Sequence, residues 1–437
     1  VSRRALLGGT AALAGATALP GLGVRRAAAQ GADLRWSMWS ATEAEAEVWR
    51  DLAADVTAAD PAITVNLETT TFVDYWDKLQ TQLASGTEAD VVAMQSLRMP
   101  VFAVRNALRP LNEFIEADPD LNFEDFFTPI QDGLSFDGQV YALAYDLGPI
   151  ILYYNMDLFD AAGVPYPSAE EPMSWDEFKE TATRLTDAEA GQYGFVMRPD
   201  LDPVVPWLWS GGGDYMNAEA TACTLGSPES LAALNWYLGL LTADQVVAPI
   251  TDLANVNFDR ETFYTGKVAM HVDGPWNFVN QRKNATFNWD VAPIPAGPAG
   301  SQTSVAGSGF GISNTTQNPE AAWFALKTIT SQAGLEKVAR AGRGYPARQS
   351  AVPAFVDPAV PPASVAVVEQ VLNGELPETG AQFFRTTTTW QEISVMLRQE
   401  MSPAFAGERS VEEMVEQIVP RFDDLLAKHQ ENLERMG

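Results

Sequence analysis

Residues 137–163, DGQVYALAYDLGPIILYYNMDLFDAAG, limit the possible folds more than any other part of the chain. The stretch opens on an Asp137-Gly138 turn, runs extended over residues 140–145, pauses at Asp146-Leu147-Gly148-Pro149, and runs extended again over residues 150–154. Asn155-Met156-Asp157 then leads into a short helix ending at Gly163. No Asn-Gly or Asp-Gly turn separates the two extended runs, so they do not make a hairpin. A strand that pauses and then continues can pass from one sheet into another, as a hinge between two lobes requires. Two lobes are also the natural expectation for 437 residues, too many for one compact core.

Charge narrows the partners. The chain carries 57 Asp+Glu against 28 Lys+Arg, a net of −29, which argues against nucleic acid and anionic membranes. Residues 1–29 read as an export signal rather than as fold. Ser2-Arg3-Arg4-Ala5-Leu6-Leu7 is a twin-arginine pattern, residues 8–23 are weakly apolar, and Ala27-Ala28-Ala29 offers a small-residue cleavage site before Gln30. The apolar run falls short of the ~20 residues that span a bilayer. It holds no cysteine, so no lipid anchor is expected, and the location expected is periplasmic or extracytoplasmic. Cys223 is the only cysteine, so no intrachain disulfide forms.

Hydrophobic periodicity places the elements. Residues 34–39, 63–68 and 90–94 read as strands, with helices at 42–59 (Thr42 as cap, Glu45 three on) and 73–84 (closed by Gly86) between them. Strand–helix alternation implies an open α/β sheet, in which ligands sit beyond the carboxyl ends of the strands. That puts Trp39-Ser40, residues 72–76 and residues 95–98 on one cleft edge. Further on, a helix starts at Ser174, a strand covers 194–197, and a helix over 206–213 ends in glycines. A helix covers 227–241, a short one 260–266, and a strand 268–272 ends at Asp273-Gly274-Pro275-Trp276. Residues 289–294 read as extended, 295–304 as a Gly/Pro/Ser loop, 310–312 as a short strand, 319–331 as helix, 351–362 as a Pro-rich connector, and 365–372, 389–401 and 411–429 as a helical tail.

Four blocks in this order carry a resemblance. They are Gly138-Gln139-Val140-Tyr141 through Tyr153-Tyr154-Asn155-Met156-Asp157-Leu158-Phe159 to Trp175-Asp176-Glu177; Phe263-Tyr264-Thr265-Gly266-Lys267-Val268-Ala269-Met270 with Asp273-Gly274-Pro275-Trp276; residues 306–313; and Gly344-Tyr345-Pro346-Ala347-Arg348. Together they resemble the family 1 extracellular solute-binding proteins, the sugar-binding components of ABC importers. The resemblance implies a two-lobed periplasmic-binding-protein type II α/β fold, each lobe a mixed sheet flanked by helices, with the ligand cleft between the lobes. It divides the chain into residues 30–146 plus 292–349 and residues 147–291 plus 350–437. It also implies closure on a small-molecule carbohydrate, delivery to membrane permease subunits, and a monomer without cofactor or metal. One departure from the family is Tyr141-Ala142-Leu143-Ala144, where relatives often carry Tyr-x-x-Pro before the hinge.

Sugar C–H faces stack on aromatic rings, and sugar hydroxyls pair with planar donors and acceptors. Trp276, in the family's Gly-Pro-Trp block, is the leading stacking ring. Trp39 at a strand end, and Trp390 at the start of a tail helix, fit core packing as well as ligand contact. Trp207 and Trp209 lie two apart on a helix, so one of them is expected to face the cleft. Asp74, Gln95, Asp146 and Asp273 sit at strand ends or turns, where a carboxylate or amide accepts sugar hydroxyls or simply caps a turn. Arg98, Arg343 and Arg348, with Tyr345 between the last two, are candidate donors, and Ser308-Gly309 offers backbone N–H groups.

Two rivals remain at this stage. A secreted glycosidase would need two carboxylates flanking a bond, but Asp51/Asp55, Glu412/Glu416 and Asp423/Asp424 all fall on expected helix surfaces. No Gly-x-Ser-x-Gly is present; His271 is flanked by apolar residues in a strand and reads as a core histidine. A receptor for a glycerol phosphoester or another charged solute would need the arginines to converge.

Overall fold

The computed structural model describes residues 31–356 and 362–435. The expected export signal and residues 357–361 of the Pro-rich connector lie outside the described residues.

Two sheets organise the chain. In the larger, the order is Tyr345–Pro346, Leu143–Pro149, Ser301–Ile312, Val91–Gln95, Ala32–Trp39 and Ile63–Thr70, with Thr379–Phe383 added to Ser301–Ile312. The smaller runs Trp289–Ala292, Ile151–Asn155, Val268–Asp273 and Tyr193–Phe195. Ala32–Trp39 is parallel to both Ile63–Thr70 and Val91–Gln95. Parallel neighbours need crossovers, and helices Glu43–Ala59 and Phe72–Ser85 supply them. Thr42 caps the first by accepting from the Glu45 N–H, and Gly86, at φ 66°, closes the second.

The opening stretch behaves differently from its sequence reading. Gln139–Val140 makes a small hairpin with Ser135–Phe136. The next strand is Leu143–Pro149, buried throughout, so residues 146–149 are strand and not a pause. The pairing runs from Phe310↔Leu143 to Val305↔Pro149 and supplies the hydrogen bonds that a Gly-Pro sequence does not advertise. The change of sheet falls at Ile150, whose N–H donates to the Ser304 carbonyl at 2.9 Å. Ile151–Asn155 then joins the smaller sheet, with Ile151 opposite Asp273 and Leu152 opposite Ala292.

Ser301–Ile312 is the second corrected reading. Residues 301–304 were expected to be loop and only 310–312 strand, yet the strand is continuous and residues 301–305 pair with Thr379–Phe383. The Ser210 hydroxyl, at the end of helix Leu201–Ser210, accepts from the Gln302 N–H at 2.9 Å. That helix begins at Leu201, not at residue 206, with Asp200 as its cap. Pro203 in its first turn is tolerated because the first four N–H groups of a helix have no intrahelical acceptor. Helix Gln332–Ala341 and strand Thr379–Phe383 were not foreseen; the strand is partly exposed and exists through pairing along one edge.

Aromatic pairs fix each core. Around the larger sheet, Tyr145 stacks on Phe310 at 4.7 Å, and Trp36 meets Phe310 edge-on at 5.0 Å. Around the smaller, Trp207 lies 5.1 Å from Phe178 and 5.5 Å from Trp236. Such pairs contribute about 0.5–1.5 kcal/mol each beyond the area they bury.

Candidate ligand-binding site

Strand direction locates the cleft. Val305↔Pro149 marks the end of the larger sheet that meets the smaller one. Ser308 pairs with Gln95 in an antiparallel register, and Val91–Gln95 is parallel to Ala32–Trp39 and, through it, to Ile63–Thr70. The carboxyl ends Trp39, Thr70 and Gln95 therefore point to that junction. Val268–Asp273 ends there as well, because Asp273 lies opposite Ile151.

On the larger sheet's side, Trp39 is packed edge-on against Phe72 at 5.5 Å and Tyr75 at 5.2 Å, and lies 5.4 Å from Trp76. The Arg98 guanidinium covers the Trp76 ring at 4.5 Å and donates to the Gln95 amide oxygen, while its buried Nε has no acceptor among the described residues. Burial pushes Arg98 down to about 10, opposed by the charges of Asp202 and Asp200 from the facing side. Asp74 lies exposed on the first turn of its helix, hydrogen-bonded to the Thr71 hydroxyl at 2.7 Å.

On the smaller sheet's side, Asp273 is bound by Arg260 through two contacts of 2.5 and 2.8 Å. It also accepts from the Gly274 N–H at 2.8 Å and the Trp276 indole N–H at 2.9 Å. Burial alone would raise Asp273, but Arg260 and His271 overcome it and hold the carboxyl far below the usual range. A Cβ at Gly274 would collide with the Trp276 ring, so this turn folds the indole back over a glycine. Trp276 is half-buried and, alone among the twelve tryptophans of the chain, makes no ring contact with another aromatic among the described residues.

Four arginines and four aspartates meet at the junction. Arg398 pairs with Asp200 at 2.9 Å, Arg198 with Asp259 at 2.5 Å and Arg260 with Asp273, which leaves Arg98 facing Asp202. The group is electrically balanced. Asp202 accepts no hydrogen bond from another described residue, and burial, together with the neighbouring Asp200, pushes it up to about 6. Its carboxylate is thus free to accept from a ligand at neutral pH and becomes a proton donor below. Ligand affinity is expected to fall between pH 7 and pH 5, and Asp202→Asn to remove most of that difference in a calorimetric titration; an unaltered pH profile would exclude Asp202 from the contact.

A third set belongs to the crossing strands. Gln95, Ser308, Asp146 and Pro346 form one cross-strand row. Asp146 accepts from the Ser308 N–H at 2.9 Å and from Arg343 at 3.3 Å, and Arg343 also pairs with Glu45. Burial pushes Asp146 up to about 7 against the pull of Arg343. Gly309 lies beside Ser308, opposite Met94 and Ala144. Tyr345 packs between Phe127 at 6.0 Å and Phe355 at 5.2 Å. Arg348 is buried away from the junction, donating to the carbonyls of Thr330, Asn122 and Leu121 and covering Phe126 at 3.9 Å. Trp207 has no exposed surface; Trp209 and Trp390 join a cluster with Tyr215 and Phe384, and the Trp209 indole donates to Asp214 at 2.9 Å.

The model of the bacterial extracellular solute-binding proteins matches residues 40–336, most of the chain and both sides of this junction. The chain belongs to that family. A putative binding protein of Brucella abortus is 25% identical over 384 residues, 85% of this chain and 88% of that one. The mannitol-binding protein of Pseudomonas aeruginosa is 31% identical over 202 residues, 45% of this chain and 44% of that one. Among solved structures, a substrate-binding protein of Listeria monocytogenes in complex with cycloalternan superposes with a TM-score of 0.81 at 24% identity, covering 91% of this chain and 98% of its own. A receptor of Streptomyces glaucescens, solved unliganded and with acarbose, reaches 0.79 at 24% identity over 91% and 99%. These neighbours carry the two-lobed fold.

In this solute-binding protein the sequence reading missed Arg198, Asp200, Asp202, Arg260 and Arg398. Asp200-Leu201-Asp202-Pro203 was the available signal: an N-cap aspartate with proline inside the first turn marks a helix start. No helix among the described residues is long and apolar enough to cross a membrane.

Proposed function

We propose that this protein captures a carbohydrate between its lobes and presents it to the permease subunits of an ABC importer, without altering it. Trp276 carries the reading: a half-buried indole at the junction, clamped at its N–H by Asp273, with no aromatic neighbour on its ring among the described residues. A sugar's C–H face fits such a ring. The balanced arginine–aspartate group and the free Asp202 suit a neutral polyhydroxy ligand better than a phosphoester or another ion. Relatives named lactose-binding, mannitol-binding and arabinooligosaccharide-binding proteins support the class. The lobe division at 30–146 plus 292–349 and 147–291 plus 350–437 belongs to the proposal with two adjustments: the first boundary is drawn at Ile150, because Leu143–Pro149 lies in the larger sheet, and Thr379–Phe383, which pairs with residues 301–305, goes with that sheet rather than with the rest of 350–437. Twin-arginine export and a monomeric state complete the proposal.

Titrating the purified mature protein with mono-, di- and oligosaccharides, polyols and glycerol phosphoesters, read by tryptophan fluorescence and calorimetry, tests it. Saturable binding of an unchanged sugar supports the receptor, whereas turnover would make it an enzyme. Trp276→Ala is expected to weaken binding roughly 10- to 100-fold, about 1.5–3 kcal/mol. A change within about twofold would remove Trp276 from the contact.

A further inference from the structure

A groove at the opposite end of the larger sheet repeats the chemistry of the cleft without belonging to it. Its volume is about 790 Å³, within the range of small-molecule sites. Its position follows from the backbone: the Arg109 N–H donates to the Ile312 carbonyl at 2.8 Å, and Ile312 pairs with Val91, the start of the strand whose other end, Gln95, reaches the cleft.

Phe114 is stacked on Trp323 with ring centroids 5.3 Å apart and planes at 24°. Trp323 is held from below: its indole N–H donates to Asp118 at 3.1 Å, and Lys327 binds the other oxygen of the same carboxylate at 2.5 Å. The acceptor capacity of Asp118 is thus spent on fixing the ring pair, while Phe114, on a helix with no fully buried residue, remains partly exposed. Around it stand polar groups with their hydrogen-bonding capacity unspent. Among the described residues the Arg109 side chain has no carboxylate partner, and its buried Nε has no acceptor. Glu113, Glu320 and Gln139 also line the groove, and the side chain of none of them bonds to another described residue.

An aromatic platform ringed by free carboxylates and free planar donors matches a carbohydrate, whose hydroxyls donate and accept and whose ring carries C–H faces. We propose that this groove is a second carbohydrate site, with Phe114 as the stacking ring, Glu113 and Glu320 accepting from hydroxyls, and Arg109 and Gln139 donating to hydroxyl oxygens. It is separate from the interlobe cleft and does not depend on closure.

The two sites are separable by nuclear magnetic resonance of indole-labelled protein, with the Trp323 resonance identified by its loss in Trp323→Phe and the Trp276 resonance by its loss in Trp276→Ala. Maltose, lactose and mannitol are the probes. The Trp323 resonance is expected to shift saturably with at least one of them, with a Kd of about 1–10 mM, both in the native protein and in Trp276→Ala. Phe114→Ala and, independently, Arg109→Gln are expected to weaken that shift at least about tenfold. A Trp323 resonance unmoved by all three probes, as expected of a protein-docking surface, overturns the proposal, as does the same Kd in both variants. Failure at the Trp276 resonance alone would count against the receptor reading and leave this one standing.

Discussion

Replacing Gly148 with valine is expected to lower both ligand affinity and thermal stability. Gly148 sits in the crossing strand, paired with Ala306, and faces the turn that carries Trp276. A Cβ there would lie 2.6 Å from Pro275 Cδ and closer still to Cγ. Pro275 has little room to yield, because the turn is tied on both sides: the Tyr153 hydroxyl donates to the Gly274 carbonyl at 2.6 Å, and Asp273 holds Trp276. Overpacking of this kind costs about 1–3 kcal/mol, and the displacement moves Trp276. Affinity for the sugar bound by the native protein should fall by at least about tenfold, with a lower melting temperature, and Gly148→Ala should fall between. Native affinity and melting temperature in Gly148→Val would show that the strand and the turn are not in contact in solution.

Arg343→Met is expected to cost about 3–5 kcal/mol of stability, the usual penalty for stranding buried charges. The guanidinium is 3% exposed, lies 5.2 Å over Trp49, and serves Glu45, Asp146 and the Tyr145 hydroxyl. Methionine keeps the alkyl packing and leaves two buried carboxylates without a cation. The loss should grow with pH. Asp146 already titrates at about 7, above its ordinary 3.8, so its proton-linked stability is present below that ordinary value and is lost as pH rises through the folded one. Removing Arg343 raises the folded value further and extends that loss to higher pH. Urea midpoints at pH 5 and pH 8 test this, with Asp146→Asn in the Arg343→Met background expected to recover part of the stability at pH 8. A loss under about 1 kcal/mol at both pH values would mean that the network carries no net stability.

Local patterns carried much of the architecture. Thr42 and Gly86 ended helices as their side chain and φ angle require, and the apolar run before Gln95 became a central strand for want of any polar face to show solvent. The family resemblance rested on blocks such as Asp273-Gly274-Pro275-Trp276, whose backbone turn and indole contact are local.

Elsewhere, residues far apart in sequence supplied the deciding partner. Gly148 and Pro149 weaken any sequence-based strand assignment, yet they are strand because Val305 and Ala306 pair with them from more than 150 positions away. Sequence alone left Asp146 and Arg348 open as ligand contacts. Only the tertiary structure showed that Asp146 is shared by Arg343 and the Ser308 N–H, and that Arg348 is spent on carbonyls and on Phe126. Arg98 facing Asp202 was equally unreadable, since neither residue belongs to a local motif and their charges meet only when the two sides of the junction come together. Composition and spacing thus determined which segments fold and how they turn. Which polar groups remain free for a ligand was decided by contacts across the fold, because a hydrogen bond or ion pair made inside the protein is no longer available to anything outside it.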